Sequence, residues 1–326
     1  MIEPNTLPSK RKSRMGLYAM PVLVAVLGIA VSVWWTVATR FADAAFDHWL
    51  SAEASVGRQW SCATRSMAGF PFRIELGCEG LGLTASQGDL HTLAMGGFVA
   101  VANLYQPSLL LVESHGPLTA TLANGQTLSL QWALMRSRLH FETPNRADQI
   151  DWAVDGLTSE SDNRLLAGTL GHAEFHMRKR PKENGPSTDL DLAASVADAV
   201  LRDASIPAFF NGQGTIKQGV ILADHPGLTG VEAWRSAGGE IGIQHWDMSR
   251  GDQSLHLSGT LAIDETHRLA GKVDLAAKGV GELFKETGFA TLGSALGGGS
   301  VQLPLTFAKG RLLIGPLRLA EFPPLY

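Results

Sequence analysis

The sequence predicts a mainly β chain: one N-terminal transmembrane helix, then a large antiparallel β domain, its sheet curved or rolled, with a few short helices. Three observations predict it. Residues 15–39 carry no charge over twenty-five positions, directly after Lys10, Arg11, Lys12 and Arg14. From residue 70 the apolar period becomes two: Phe72, Ile74 and Leu76 alternate with Arg73, Glu75 and Gly77. The chain also holds 36 glycines, which punctuate short apolar runs as turns between strands do.

At a rise of about 1.5 Å per residue, 15–39 is long enough to cross a hydrocarbon core of about 30 Å. The basic segment 1–14 should stay in the cytoplasm, so everything after residue 40 faces the other side. A cleaved signal is the alternative, with Ala42-Asp43-Ala44 imitating a cleavage site. The apolar run is long for a signal, Trp34 and Trp35 resemble an interfacial belt, and Arg40 follows, so we read an uncleaved anchor. Residues 40–57 continue as a membrane-proximal amphipathic helix, with Phe41, Ala45, Trp49 and Ala52 as the apolar stripe. Its acidic polar face argues for capping a sheet rather than lying on a membrane surface.

Cys62 and Cys78 are the two cysteines, both on the exported side. An oxidising compartment allows a disulfide there. No second Cys pair or neighbouring His completes a zinc site, and no C-x-x-C redox motif exists.

Strands are expected near 93–104, 107–114, 117–123, 126–134, 137–143, 149–157 and 164–177. Pro107, Gly116-Pro117 and Pro144-Asn145 are the breakers. Asn124-Gly125 reads as a hairpin turn, because both residues accept positive φ. Residues 178–188 (RKRPKENGPST) form the best place for a surface loop or hinge. Alternation resumes at Leu190. Further strands are expected at 215–223, 240–249, 253–263 and 268–277, with a helix over 229–237 stopped by Gly238-Gly239. A second short helix is expected over 280–296, and two short strands flank Lys309-Gly310. The β domain thus spans 58–326.

The chain carries a net charge of −4, and the first fourteen residues carry +3, so the exported part carries −7. That argues against a nucleic-acid partner, which selects a basic stripe. No motif specifies a reaction: Gly293-Ser294-Ala295-Leu296-Gly297 misses the nucleophile elbow, and Gly297-Gly298-Gly299-Ser300 lacks the lysine of a phosphate loop. His172 and His176 lie four apart, but Ala173, Phe175 and Met177 alternate with them, which makes them one face of a strand rather than a helical zinc pair. No catalytic, metal or cofactor residue is therefore nominated. Trp60, Trp132, Trp152 and Trp246 sit in apolar periodic runs; they are core residues or the lining of an apolar groove.

Three stretches carry a resemblance. They are Trp60-Ser61-Cys62 through Gly69-Phe70-Pro71-Phe72-Arg73 to Cys78; Ala233-Trp234-Arg235-Ser236-Ala237-Gly238-Gly239 with the strands that follow it; and Leu303-Pro304-Leu305, Gly310-Arg311 and Gly315-Pro316-Leu317. With the anchor, they resemble the membrane-anchored envelope proteins of domain-of-unknown-function family 2125, and more distantly AsmA-like proteins. The resemblance implies a single-pass inner-membrane protein with a periplasmic β domain, and supplies no catalytic residues to carry over. It suggests lipid binding in envelope homeostasis; an assembly scaffold that receives a partner strand is the alternative, and a hydrolase with a non-standard site the third reading. Physically, Gly69 and Pro71 set the entry to a strand, Gly238-Gly239 end a helix, and Arg73 and Arg235 read as structural ion pairs or head-group contacts.

Overall fold

A computed structural model describes residues 15–143, 146–163, 167–181, 187–202, 204–225, 227–281, 294 and 299–326. The chain begins with α1 (Met15–Ser55), one uninterrupted helix of 41 residues that runs through the expected boundary at 39/40. Its apolar window has a mean hydropathy of 2.1, so by length and composition it can cross a membrane.

Sixteen strands then form one antiparallel sheet. They are β1 (Arg58–Ala68), β2 (Arg73–Ala85), β3 (Leu90–Asn103), β4 (Gln106–Leu122), β5 (Thr127–Gln131), β6 (Leu134–Thr143), β7 (Arg146–Ser161) and β8 (Gly168–Lys179). There follow β9 (Leu190–Leu201), β10 (Ala208–Lys217), the helices α2 (Val220–Asp224) and α3 (Leu228–Ser236), then β11 (Glu240–Arg250), β12 (Gln253–Ile263) and β13 (Leu269–Lys278). β14 (Ser300–Ala308), β15 (Arg311–Ile314) and β16 (Leu317–Glu321) close it. Each strand pairs with its sequence neighbour, except that β5 and β6 follow one another in the space between β4 and β7. β8 pairs β9 across the 178–188 segment, so both halves belong to one sheet. Residues 182–186 of that segment lie outside the described residues; Arg178 and Lys179 close β8.

Several expectations change. Residues 58–68 form a strand, although only one of their faces meets an apolar surface and the alternation is weak. Gly116-Pro117 does not end a strand: β4 runs through it, and the register slips opposite, between Met95 and Gly97, where a residue without an N–H is tolerated. Residues 220–223 are helical, not β, because Gln218 at φ 57° turns the chain out of β10 ahead of the Val-Ile-Leu run. At Asn124-Gly125 only the glycine takes positive φ (82°). The Leu122 carbonyl accepts from the amide of Gly125, which gives a three-residue hairpin loop. Lys309 and Gly310, at φ 51° and 72°, both turn left-handed between β14 and β15. The helix expected over 280–296 falls almost wholly outside the described residues.

The helical stripe is also rotated. Phe41 is 76% exposed, and the sheet is met instead by Trp35, Phe46, Trp49 and the acidic side chains. Arg65 on β1 bonds Asp47 at 2.6 Å and reaches Asp43 at 3.1 Å, with its guanidinium 5.5 Å from the Phe46 ring. Glu53 accepts from Arg58 and from the Trp60 indole, bonds that hold its carboxyl down to about 2. α1 thus lies along β1 and β2 instead of capping the sheet end.

Two apolar clusters make the core. Trp132, Val154 and Ala173 centre one, with Met95, Leu118, Met135, Trp152 and Val196 around them. Ile243, Val273, Leu275, Ala277, Leu305 and Leu312 centre the other.

Candidate functional site

Antiparallel register places residues directly opposite one another on a common face. One such row runs Glu75, Val101, Leu111, Arg138, Asp151, His176, Ala193, Gln213 and His245 across nine strands. The next runs Gly77, Val99, Glu113, Arg136, Ala153, Glu174, Ser195, Asn211, Asp247 and His256. This face is therefore polar and charged, except where Val99, Val101 and Leu111 interrupt it. Phe98, the neighbour of Val99, points to the opposite face and meets Phe46 of α1 at 6.5 Å.

The interruption is a hollow of about 680 Å³. Val99, Val101 and Leu111 supply its apolar surface, and Arg73, Arg136 and Arg138 are among its charged lining. Arg73 pairs with Glu75 at 2.5 Å, and Arg136 bonds Glu113 at 3.2 Å. Arg138 is the least committed: Asp151 is 4.0 Å away, beyond hydrogen-bond range, and already faces Gln149 and His176. A guanidinium presents five donors, so each of these arginines keeps donors for an anionic guest.

Beside the hollow, β7 and β8 carry a chain of His–carboxylate contacts. His172 meets Asp155 through Nδ1 at 2.6 Å and Glu174 through Nε2 at 2.9 Å. His176 meets Asp151 at 2.9 Å and the same Glu174 at 3.3 Å. The bond to Asp155, then that to Glu174, raises the His172 pKa; the bond to Asp151 raises that of His176. Glu174 is lowered in return, by His172 first. Both histidines lie on a strand face, and no group of three metal-ligating side chains occurs among the described residues.

The tryptophans do not share one groove. Trp60 stacks near Trp49 of α1 (5.7 Å), Trp132 is buried with its indole donating to the Ser114 carbonyl, and Trp246 packs over Gly212. Trp152 borders the hollow from between Asp151 and Ala153, and its ring lies on the opposite face in the Val154 cluster. Arg73 stands out in the sequence as an ion pair or head-group contact, but Val99, Val101, Arg136 and Arg138 do not, because their grouping depends on cross-strand register. The alternation of charge along β6 (Arg136, Arg138) was the one visible signal. A second, smaller apolar hollow of about 390 Å³ lies on the other face, between Val196, Phe210, Met248, Leu255 and Val280.

The motif residues are structural where their contacts are visible. Cys62 and Cys78 form a disulfide. Gly69 takes φ 98°, its carbonyl accepting from the Arg73 amide, and Phe70, ahead of Pro71 and Phe72, meets Trp35 edge-on at 5.5 Å. Trp234 is 3% exposed and donates to the Lys217 carbonyl at 2.7 Å. Gly238 at φ 77° and Gly239 return amides to Arg235 and Trp234, which closes α3. Arg235 bonds Glu232, which also accepts from Tyr326 at the C-terminus at 2.9 Å and is held down to about 2, chiefly by Arg235.

The model of a family described as "Uncharacterized protein conserved in bacteria (DUF2125)" matches residues 35–323. No curated protein and no solved structure matches the chain.

Proposed function

The chain belongs to this uncharacterised bacterial family, and from that premise we propose that it is a single-pass inner-membrane protein whose periplasmic sheet binds an amphiphile with an anionic head and an acyl tail. The hollow at Val99, Val101 and Leu111 carries the reading: an apolar floor of acyl-chain size flanked by three arginines on an otherwise polar sheet face. The tail would cover the two valines and Leu111, and the head would meet Arg138, whose donors are the freest. The anchor, α1, supports delivery from a bilayer, and the basic residues before it support a cytoplasmic N-terminus. A scaffold that receives a partner strand finds less support, because the edge strand β1 is tied to α1 through Arg58 and Arg65, and the other edge, β16, has five residues and carries Arg318 and Glu321, charges that discourage pairing.

The test is photocrosslinking of the full chain in nanodiscs with a diazirine-bearing phosphatidylglycerol, followed by peptide mapping. Adducts should fall on β3, β4 and β6. Arg138→Ala should weaken capture about tenfold, as loss of one charge-assisted bond of about 1.5 kcal/mol implies, and Leu111→Arg should abolish it. Adducts confined to α1 would overturn the binding reading and leave a plain anchor.

A further inference from the structure

We propose that the sheet also stands on the bilayer: the turn Gly69–Phe72 and the neighbouring turn at Leu104–Tyr105 enter the head-group layer beside the helix. The inference rests on the reading of α1 as a membrane anchor and goes beyond it. The first hydrogen bond and ring contact between α1 and the sheet are made by Trp35, whose indole donates to the Arg73 carbonyl at 2.9 Å and whose ring meets Phe70. Twenty helical residues, Met15–Trp34, precede it, and those from Tyr18 to Ala30 are exposed throughout. At about 1.5 Å per residue they span about 30 Å, the thickness of a hydrocarbon core. A helix that crosses with this segment leaves the hydrocarbon at Trp35, and the turns fixed to Trp35 lie at that same level.

Those turns carry the side chains an interface selects. Phe70 is 56%, Phe72 68% and Tyr105 79% exposed, among the most exposed large apolar side chains outside α1. They are not independent accidents of two turns: the Phe72 carbonyl accepts from the Leu104 amide at 3.0 Å, which locks the two side by side. Aromatic rings with one apolar and one wet side partition to this layer. At the opposite end of the same strands, the turn between β2 and β3 reads Ser86-Gln87-Gly88-Asp89 and holds no aromatic residue. The aromatics mark one end only, the end from which the apolar part of α1 projects. Arg73, which lines the hollow, follows this turn directly, so the hollow would open close to the leaflet surface.

The experiment uses the full chain, whose cysteines are both in the disulfide, with single reporters at Val33→Cys, Phe72→Cys, Tyr105→Cys and Gln87→Cys. Each carries an environment-sensitive fluorophore, in nanodiscs of phosphatidylethanolamine and phosphatidylglycerol with a spin-labelled lipid quencher near the glycerol level. Quenching at 72 and 105 should exceed that at 87 by at least roughly twofold, as depth in the interface requires. Values at 72 and 105 no higher than at 87, with 33 strongly quenched, overturn the proposal and leave the anchor intact. An unquenched 33 removes the anchor and this proposal together. Tyr105, on a separate turn, keeps the test decisive if Phe72→Cys fails to fold.

Discussion

His172, Glu174 and His176 show what single side chains contribute on an exposed strand face. Both imidazoles have raised pKa values, by Asp155 and Asp151 respectively, so their ion pairs stabilise fully below the ordinary His value of 6.5 and the contribution fades as pH climbs through the raised folded values. Glu174 is lowered, chiefly by His172, so its share is present above 4.5 and is lost as pH falls through the lowered folded value. The two windows overlap between 4.5 and 6.5, where the ladder is complete. Exposure limits each pair to about 0.2–1 kcal/mol, less in salt. Nuclear magnetic resonance titration should place His172 above 6.5, and Glu174→Gln should lower both histidines; an unmoved His172 would contradict the double contact. The spacing of these histidines already marked a strand face in the sequence. Glu174 stands between them in the sequence, but their partners Asp151 and Asp155 were not visible there, because both lie on a different strand and reach them only through register.

At the scale of elements, α3 and the strand after it depend on one close approach. A Cβ at Gly239 would overlap the indole of buried Trp234, which is itself fixed by its bond to the Lys217 carbonyl. Gly239→Ala should therefore cost about 1–3 kcal/mol, as overpacking does, whereas Gly238→Ala, which meets open space, is strained only by its φ of 77°. Chemical denaturation of the two variants checks the order. The disulfide acts on another pair of elements, tying β1 to β2 across sixteen residues of chain. Cys62→Ser should lower stability by about 3 kcal/mol in the loop-entropy picture, read as a shifted denaturation midpoint; an unchanged midpoint would remove the staple. Helix stops and hairpins were legible from Gly238-Gly239, Lys309-Gly310 and the two-residue period, since those signals are local. β1 was not, because α1 covers one face and its own sequence alternates poorly. The orientation of α1 was not either: ion pairs from Arg58 and Arg65 draw its acidic side toward the sheet, against what apolar spacing alone implies.

The whole molecule is a chain of nearest-neighbour strand contacts, closer to a solenoid than to a closed barrel in its energetics. Its two apolar clusters share no residue, and β10 contributes to neither. β10 instead brings Gly212 and Gly214 to the middle of the sheet, and Phe210, opposite Val196 and Met248, and Ile216, opposite Ile241, are its apolar side chains between the two halves. Strand pairing still joins the halves, through β9 on one side and β11 on the other, with register slips on both ladders. Backbone bonds and so few apolar contacts transmit stability weakly, so each half should open on its own. Val154→Ala, at a residue with no exposed surface, should cost about 1–3 kcal/mol and Leu275→Ala about 2–5 kcal/mol. Hydrogen exchange read by mass spectrometry should show the first variant accelerating β5 to β8 and sparing β12 to β15, and the second doing the reverse. Acceleration of all strands by either variant would mean that the waist at β10 transmits fully and the sheet unfolds as one body. Independent halves would leave the hollow at Val99, Val101 and Leu111, which lies within the first, intact while the second opens, and the proposed lipid capture by Leu275→Ala should then match that of the unaltered chain.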